Sequence, residues 1–264
     1  MPYRVDLKNA GDETLDRLVE LGALDVEASG GRGLAALVPD NVTPQQVARA
    51  LGVDVVAVSP AIGRDDGSVW VLSPRTIHIG SLHIVPADIE SEPTALRLID
   101  AAAFGTGLHP TTAMCLEALD EAVQDPPPDA VLDVGTGSGV LALAALMLGV
   151  PRALAIDIDD EALRTAARNA RVNKLEDRLQ LARGAPEDVP GTWPLVLANI
   201  LAAPLIELAP TLVQRVGHHG QLVLSGIASS VAQEVEQAYC RLGMRRLRVM
   251  SRGGWVAIVL RATW

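Results

Sequence analysis

The sequence predicts an α/β protein in which a small α+β unit precedes a larger, mostly parallel sheet. From about residue 112, strand-length apolar stretches alternate with helical patterns, which is typical of a parallel sheet covered on both faces. The first sixty residues instead follow the order βαββαβ. Two apolar segments with no helix between them close the chain, which predicts an antiparallel hairpin at the sheet edge.

Residues 1–60 are predicted to form the small unit. Tyr3, Val5 and Leu7 alternate with polar residues, which is the period of a half-buried strand. Thr43 is expected to cap a helix, because Pro44 suits the first helical position and Gln46 can complete a capping box. The remaining predicted elements are a helix over Asp12–Leu21 and strands at Ala23–Ala28, Leu34–Val38 and Val53–Val58. This order is the ferredoxin-like pattern.

Residues 61–100 are predicted to be a linker, and residues 101–264 the large domain. Prolines at 60, 74, 86 and 93 argue against a long helix in the linker, for which we expect strands at Val69–Leu72 and Ile77–Val85. In the large domain the predicted helices are Thr112–Val123, Val140–Leu148, Asp160–Val172, Pro204–Val216 and Ser230–Leu242. The predicted strands are Ala130–Val134, Ala153–Asp157, Leu179–Arg183, Leu195–Asn199, Gln221–Ser225, Arg245–Met250 and Trp255–Leu260.

Composition excludes several classes of protein. The chain of 264 residues is 49% hydrophobic and carries a net charge of −10, which argues against broad binding of nucleic-acid phosphates. The longest apolar run, Val140–Val150, is too short to span a bilayer, and no signal peptide is readable. Two cysteines form neither a disulfide framework nor a four-ligand metal site. We therefore expect a cytoplasmic monomer without a metal, a membrane partner or direct contact with nucleic acid.

A glycine-rich turn follows the first strand of the large domain. Gly135, Gly137 and Gly139 alternate with other residues, and Asp133 lies two residues before the first glycine. Glycines let the backbone approach a ligand closely, and a helix N-terminus follows them. The spacing differs from the dinucleotide fingerprint, whose third glycine would fall at Val140. A tight turn without a ligand is the alternative.

Two further polar residues are predicted at the carboxyl ends of strands, one at the second strand of the large domain and one at the fourth. Asp157, 22 residues after Gly135, is placed to accept hydrogen bonds from ribose hydroxyls, while Asp159 or Asp160 caps the next helix. Asn199 ends the fourth strand and could bind around a reacting amine and a cofactor. The alternatives are that all three aspartates cap the helix, and that Asn199 is a turn residue.

The segment before the first large-domain helix is the fourth candidate site. Phe104 is the only phenylalanine, and glycines near it suit a lid, whereas the alternative is an ordinary loop before a capped helix. Thr111 or Thr112 would present a hydroxyl to the ligand crevice. His109 has no second ligand at metal spacing, so we assign it no metal and no role as a base. His218 and His219 are expected in a solvated turn.

These motifs together resemble the ribosomal protein L-eleven (L11) methyltransferase family. The segments that carry the resemblance are AFGTGLHPTT (Ala103–Thr112), LDVGTGSGVLALAALMLG (Leu132–Gly149), AIDIDDEAL (Ala155–Leu163), LVLANILAAPLIELAPTL (Leu195–Leu212) and LVLSGI (Leu222–Ile227). The resemblance implies a Rossmann-like methyltransferase sheet. It also implies methyl transfer from S-adenosylmethionine to amines of ribosomal protein L11, namely lysine side chains and the N-terminal α-amine.

The resemblance also implies site residues. Thr112, Gly135, Asp157 and Asn199 would line the cofactor site, and the remaining predicted cofactor contacts are Gly137, Phe104 and Thr106. No general base is visible, and Asn199 and Phe104 are candidates for positioning the acceptor amine.

The ferredoxin-like domain would recruit the protein substrate. The family's linker usually carries the pattern D-W-x-x-x-W, of which the stretch Asp65–Trp70 keeps one tryptophan. Two alternatives are methylation of another protein, an RNA or a small amine, and a non-catalytic S-adenosylmethionine-binding protein. Asp157 and Asn199 argue against the second.

Overall fold

The chain divides into two units, Met1–Arg75 and Thr76–Trp264, in a computed structural model. The structure describes residues 2–8, 10, 13–28, 33–53, 56–61, 64–65, 69–70, 77–87, 92, 94–99, 110–123, 126–252 and 254–264. The division falls inside the predicted linker of residues 61–100. The predicted domain limits at residues 60 and 100 stay predictions.

The first unit contains a four-stranded antiparallel sheet and two helices. Its elements are β1 (Tyr3–Leu7), α1 (Thr14–Glu20), β2 (Asp25–Ala28), β3 (Leu34–Val38), α2 (Pro44–Leu51) and β4 (Ala57–Pro60), followed by the short pair β5 (Arg64–Asp65) and β6 (Val69–Trp70). The strand order β2-β3-β1-β4 is the ferredoxin-like arrangement that the sequence predicts.

Helix α2 begins at the predicted capping box. The backbone amide of Gln46 donates to Thr43 Oγ1 over 3.3 Å, and the backbone amide of Thr43 donates to Gln46 Oε1 over 2.7 Å. Gly52 ends the helix with a φ of 68°, a left-handed conformation that glycine adopts without steric cost. Val47 and Ala48 of this helix pack with Val5 in the core of the unit.

The second unit is built on a seven-stranded sheet in the order β12-β11-β10-β13-β14-β16-β15. Strands β10 to β14 are parallel, and the final hairpin adds antiparallel β16 and β15 at the edge, as predicted. The strands are β10 (Val131–Val134), β11 (Ala153–Asp157), β12 (Leu179–Arg183), β13 (Trp193–Asn199), β14 (Val216–Ala228), β15 (Met244–Arg252) and β16 (Trp255–Ala262). The helices are α3 (Pro110–Ala122), α4 (Val140–Met147), α5 (Asp160–Val172), α6 (Ala202–Glu207), α7 (Ala209–Arg215) and α8 (Ala232–Cys240).

Apolar residues on both faces of this sheet are buried. Val131 packs with residues of α3 and α4 in one core cluster, whereas its neighbour Leu132 packs with α6, α7 and α8 in a second. Successive side chains of a strand point to opposite faces, so the two clusters lie on opposite sides of the sheet. None of the helices in the described part of the chain is long and apolar enough to cross a membrane.

Two predicted elements of the second unit are wrong in extent. The helix predicted over Pro204–Val216 is two helices, because Pro210 has no amide hydrogen to continue the hydrogen-bonding of α6. The turn predicted at His218 and His219 lies within β14. His219 there has a φ of 54° and its amide donates to the Trp264 carbonyl, so the strand bends without ending.

A second, smaller sheet precedes α3. It contains β7 (Ile77–Ile79), β8 (Leu82–Pro86) and β9 (Leu96–Leu98), so the single strand predicted over Ile77–Val85 is a hairpin. Ser81 in its turn donates to the Asp120 carboxylate of α3. Strand β9, which the sequence did not predict, pairs in parallel with β8.

Candidate functional site

The glycine turn connects β10 to α4 and requires glycine at three positions. Gly135, Gly137 and Gly139 have φ values of 71°, 55° and 84°. This left-handed region costs other L-residues about 1–2 kcal/mol. The Gly135 amide donates to the Ile156 carbonyl over 2.9 Å, which ties the turn to the end of β11.

Asp157 holds the centre of this turn. The Gly137 amide donates to its Oδ2 over 2.9 Å, and the Asp159 amide donates to its Oδ1 over 3.0 Å. A carboxylate has about four lone-pair positions, so each oxygen of Asp157 can accept a further hydrogen bond. Asp159 caps α5 by accepting from the Glu161 amide, which separates its role from that of Asp157.

Asp133 lies beneath the turn and is fully buried. Its Oδ2 accepts from Thr136 Oγ1 over 2.6 Å and from the Ala142 backbone amide over 3.3 Å. Asp133 therefore provides an acceptor for one of the amides in the first turn of α4, which have no partner within the helix. Burial raises the pKa of Asp133 to about 6 against the opposing effect of these two hydrogen bonds. Its Oδ1 is buried without a partner among the described residues.

Asn199 and Thr112 meet across the site, although they are 87 positions apart in the sequence. Asn199 Nδ2 donates to Thr112 Oγ1 over 3.2 Å, and Thr112 is fully buried in the first turn of α3. Asn199 Oδ1 is buried and has no hydrogen-bond partner in the part of the chain that the structure describes. An unpaired buried acceptor costs about 1–3 kcal/mol, so this atom is suited to an N–H donor of a ligand.

Ile200 packs closely against both Gly135 of the glycine turn and Gly226 of β14. A Cβ on Gly135 would lie 2.3 Å from Ile200 Cγ2, so glycine is required there for packing as well as for φ. A Cβ on Gly226 would lie 2.2 Å from the Ile200 carbonyl oxygen. Gly226 belongs to the LVLSGI segment, but nothing in the sequence assigns it this contact.

Of the predicted site residues, the structure brings Gly137 to Asp157, Gly135 to the residue after Asn199, and Thr112 to Asn199. Phe104 and Thr106 lie outside the described residues, as does His109. His218 and His219 contact each other edge to face, and so do His78 and His83.

Ile158 is a candidate that the sequence patterns did not single out. It directly follows Asp157 and is 74% exposed. Leu201, two residues beyond Asn199 at the end of β13, is likewise 67% exposed. A large apolar side chain at the carboxyl end of a strand, next to a predicted polar ligand, is the signal that could have found both.

Cys115 lies near Asp133 but supplies no nucleophile to this site. Burial raises the pKa of the Cys115 thiol to about 12, which keeps it protonated and poorly nucleophilic. A cavity of about 410 Å³ lies beside Ala153, Leu179 and Trp193, at the amino-terminal ends of β11, β12 and β13 and away from the glycine turn. Among the described residues, no group of three His, Cys, Asp or Glu side chains could hold a metal ion.

The family model and the relatives that match this chain carry the same family name. A family model described as "Ribosomal protein L11 methyltransferase (PrmA)" matches residues 72–263. A ribosomal protein L11 methyltransferase of Pelobacter propionicus is 41% identical over 77% of this chain and 69% of its own length. The enzyme of that name from Methylococcus capsulatus is 35% identical over 95% of this chain and 94% of its own length.

A solved structure supports the same comparison. The crystal structure of a ribosomal protein L11 methylase from Lactobacillus delbrueckii subsp. bulgaricus superposes with a TM-score of 0.65 and 34% identity. The match covers 71% of this chain and 99% of that one. It extends the sequence similarity to the arrangement of the elements.

Proposed function

Because the chain belongs to the ribosomal protein L11 methyltransferase family, we propose that it transfers methyl groups from S-adenosylmethionine to amines of ribosomal protein L11. The acceptors in this proposal are lysine side chains and the N-terminal α-amine. The observation that carries the proposal is Asn199, whose Oδ1 is buried without a partner while its Nδ2 is held by Thr112. An enzyme that orients an amine needs such an acceptor.

The described residues fit the cofactor. Gly135 and Gly137 would give its methionine part close access to the backbone, and the free lone pairs of Asp157 would accept from its ribose hydroxyls. Ile158, exposed beside Asp157, would cover a face of its adenine ring. Phe104 and Thr106 remain predicted contacts. When bound, S-adenosylmethionine supplies a methyl group already activated by its positive sulfur.

The protein's own contribution is positioning and exclusion of water. An acceptor lysine must be neutral to attack, and removal of water lowers its pKa. Asn199 would accept a hydrogen bond from the acceptor nitrogen and fix its direction, which contributes through orientation rather than proton abstraction. We assign no general base, because the side-chain hydrogen bond that Asn199 makes among the described residues is to the Thr112 hydroxyl and not to a carboxylate or histidine.

The N-terminal unit would present the protein substrate. Residues 1–60 carry nine acidic and five basic side chains, so the unit attracts a lysine-bearing partner rather than nucleic acid. Its β2-β3-β1-β4 sheet is complete within the first unit.

The test is transfer of labelled methyl groups to purified L11 by the full chain. We expect labelled L11, and a loss of at least about tenfold in kcat for Thr112→Val, which leaves Asn199 Nδ2 without its buried partner. Thr263→Val is the matched control, because Thr263 Oγ1 donates to the Gly243 carbonyl at the far edge of the sheet. If L11 stays unlabelled while the chain binds S-adenosylmethionine, the proposed substrate is wrong.

A further inference from the structure

We propose that Asn169 of α5 is a positioning residue that couples the end of strand β9 to the cofactor-binding glycine turn. This inference rests on the proposed function, under which the glycine turn binds S-adenosylmethionine. Asn169 is fully buried, which is exceptional for an uncharged amide unless its polar atoms are paired.

Both ends of the Asn169 amide are used, and they reach different parts of the unit. Its Nδ2 donates to the Ser138 carbonyl over 2.8 Å, and its Oδ1 accepts from the Ile99 amide over 2.8 Å. Ser138 lies between Gly137 and Gly139 in the turn, whereas Ile99 directly follows β9. One side chain therefore bridges segments 39 residues apart in sequence, which no backbone pairing connects.

Helix α5 also packs against the glycine turn at a second point. A Cβ on Gly139 would lie 3.0 Å from the Ala166 Cβ, one helical turn before Asn169. Helix α5 thus packs directly against the glycine turn, next to the hydrogen bond between Asn169 and the Ser138 carbonyl. Movement of Asn169 would in turn release the Ile99 amide.

The position of Ile99 explains why this coupling matters for the reaction. It lies five residues before Phe104 and thirteen before Thr112 in the sequence. The sequence segment that contains the predicted contacts Phe104 and Thr112 therefore follows an amide that is hydrogen-bonded to Asn169. Order in the cofactor turn and protection of the Ile99 amide are expected to rise together, since they share one hydrogen-bonding side chain.

Asn173, one turn further along α5, provides a matched control. Its Oδ1 accepts from the Arg97 amide over 2.8 Å and its Nδ2 donates to the Arg97 carbonyl over 2.7 Å. It therefore anchors the same strand with the same chemistry. Its Nδ2 also donates to the Asn169 carbonyl over 2.7 Å, and none of these three bonds reaches the glycine turn. A role that is only structural would make the two asparagines equivalent for cofactor binding.

The first experiment measures S-adenosylmethionine affinity by calorimetry for the full chain, Asn169→Ala and Asn173→Ala, with urea unfolding of each. We expect both variants to lose stability, but the dissociation constant to rise about tenfold only for Asn169→Ala, because only this change removes the hydrogen bond from α5 to the Ser138 carbonyl of the glycine turn. Equal affinities for the two variants would overturn the inference. If the unchanged chain itself does not bind S-adenosylmethionine, the proposed function fails, and the inference fails with it.

The second experiment uses the unchanged protein and so does not depend on the folding of a variant. Amide hydrogen exchange is measured with and without S-adenosylmethionine. We expect the cofactor to slow exchange at the Ile99 amide at least about fivefold and to leave the Arg97 amide within twofold. An Ile99 amide that does not respond, or responds no more than Arg97, would contradict the coupling.

Discussion

Two carboxylates at the site, Asp133 and Asp157, differ because their surroundings differ. Asp133 is fully buried under the glycine turn, and burial raises its pKa to about 6. Asp157 is partly exposed at the end of β11 and accepts from two backbone amides. The first carboxylate therefore supports the start of α4, while the second keeps free lone pairs for a ligand.

The first prediction concerns pH and Asp133. Its pKa is near 6 in the folded protein and about 3.8 in the unfolded chain, so the folded protein binds more protons between these values. The stabilising contribution of Asp133 is present below its unfolded pKa and is lost as pH rises through 6. Urea unfolding should show wild type gaining roughly 1 kcal/mol relative to Asp133→Asn when pH falls from 7 to 5.

The Asp133→Asn variant is the appropriate comparison because its side chain keeps an acceptor for Thr136 and for the Ala142 amide. Every other ionisable group is common to the two proteins, so its contribution cancels in the difference. Parallel stability curves for the two proteins between pH 5 and pH 7 would show that Asp133 titrates normally.

The second prediction concerns Asp157. Asp157→Ala removes the predicted ribose contacts and releases the Gly137 amide, so we expect cofactor affinity to fall ten- to a hundredfold, or roughly 1.5–3 kcal/mol. Asp159→Ala is the control, because it removes the cap of α5 and costs about 1 kcal/mol of stability without touching the turn. Calorimetry that finds unchanged affinity in folded Asp157→Ala would remove Asp157 from the cofactor site.

At the scale of elements, long and strongly patterned segments were predictable. Helix α5 has the predicted limits, Asp160–Val172, because acidic residues open it and its apolar positions follow one face. Helix α2 was predictable from Thr43 and Gln46, whose side chain and backbone bond each other without help from the rest of the chain. Local chemistry specifies both elements.

The elements that were not predicted depend on distant contacts. Strand β9 has three residues, and its position rests on Asn169 and Asn173, about seventy residues later. The turn of the β7–β8 hairpin is held by Asp120 of α3. A residue's own neighbours in sequence contain no information about partners of this kind, which also explains why Asn169 and Ile200 were missed at the site.

The third prediction tests the close approach at Gly226. Gly226→Ala would place a Cβ 2.2 Å from the Ile200 carbonyl oxygen, at a φ of 82°. Gly191→Ala has a similar φ of 73° but no atom within 4 Å, so it measures the backbone strain alone. We expect Gly226→Ala to lose a further 1–3 kcal/mol, roughly the cost of overpacking, in the free energy of unfolding. Equal losses would show that Ile200 moves away freely.

At the scale of the whole molecule, we propose that the second unit binds the cofactor and that the first unit recruits the substrate. All described cofactor candidates lie after residue 110, and the seven-stranded sheet is complete within the second unit. The sequence predicted both sheets, because each follows a regular order of elements. It did not predict that the strands Ile77–Ile79 and Leu82–Pro86 belong to the second unit, since their partners on α3 are distant.

The fourth prediction separates these roles by removing residues 1–75. The remaining chain should fold, as checked by circular dichroism, and its S-adenosylmethionine affinity should stay within about twofold, a change of less than 0.5 kcal/mol. Transfer to L11 should fall at least tenfold, since about 1.4 kcal/mol of lost docking or orientation is enough for this. If the truncated chain methylates L11 at the full rate, the first unit does not recruit the substrate.

The central claim is that this protein methylates amines of ribosomal protein L11, and mass spectrometry of L11 peptides tests it most directly. Full-length protein, purified L11 and S-adenosylmethionine are incubated, and the modified atoms are located by peptide fragmentation. We expect methyl groups on lysine side chains or on the N-terminal α-amine, formed at least about tenfold more slowly by Thr112→Val but not by Thr263→Val. Unmodified L11 in the presence of bound cofactor, or methyl groups found only on other atoms, would contradict it.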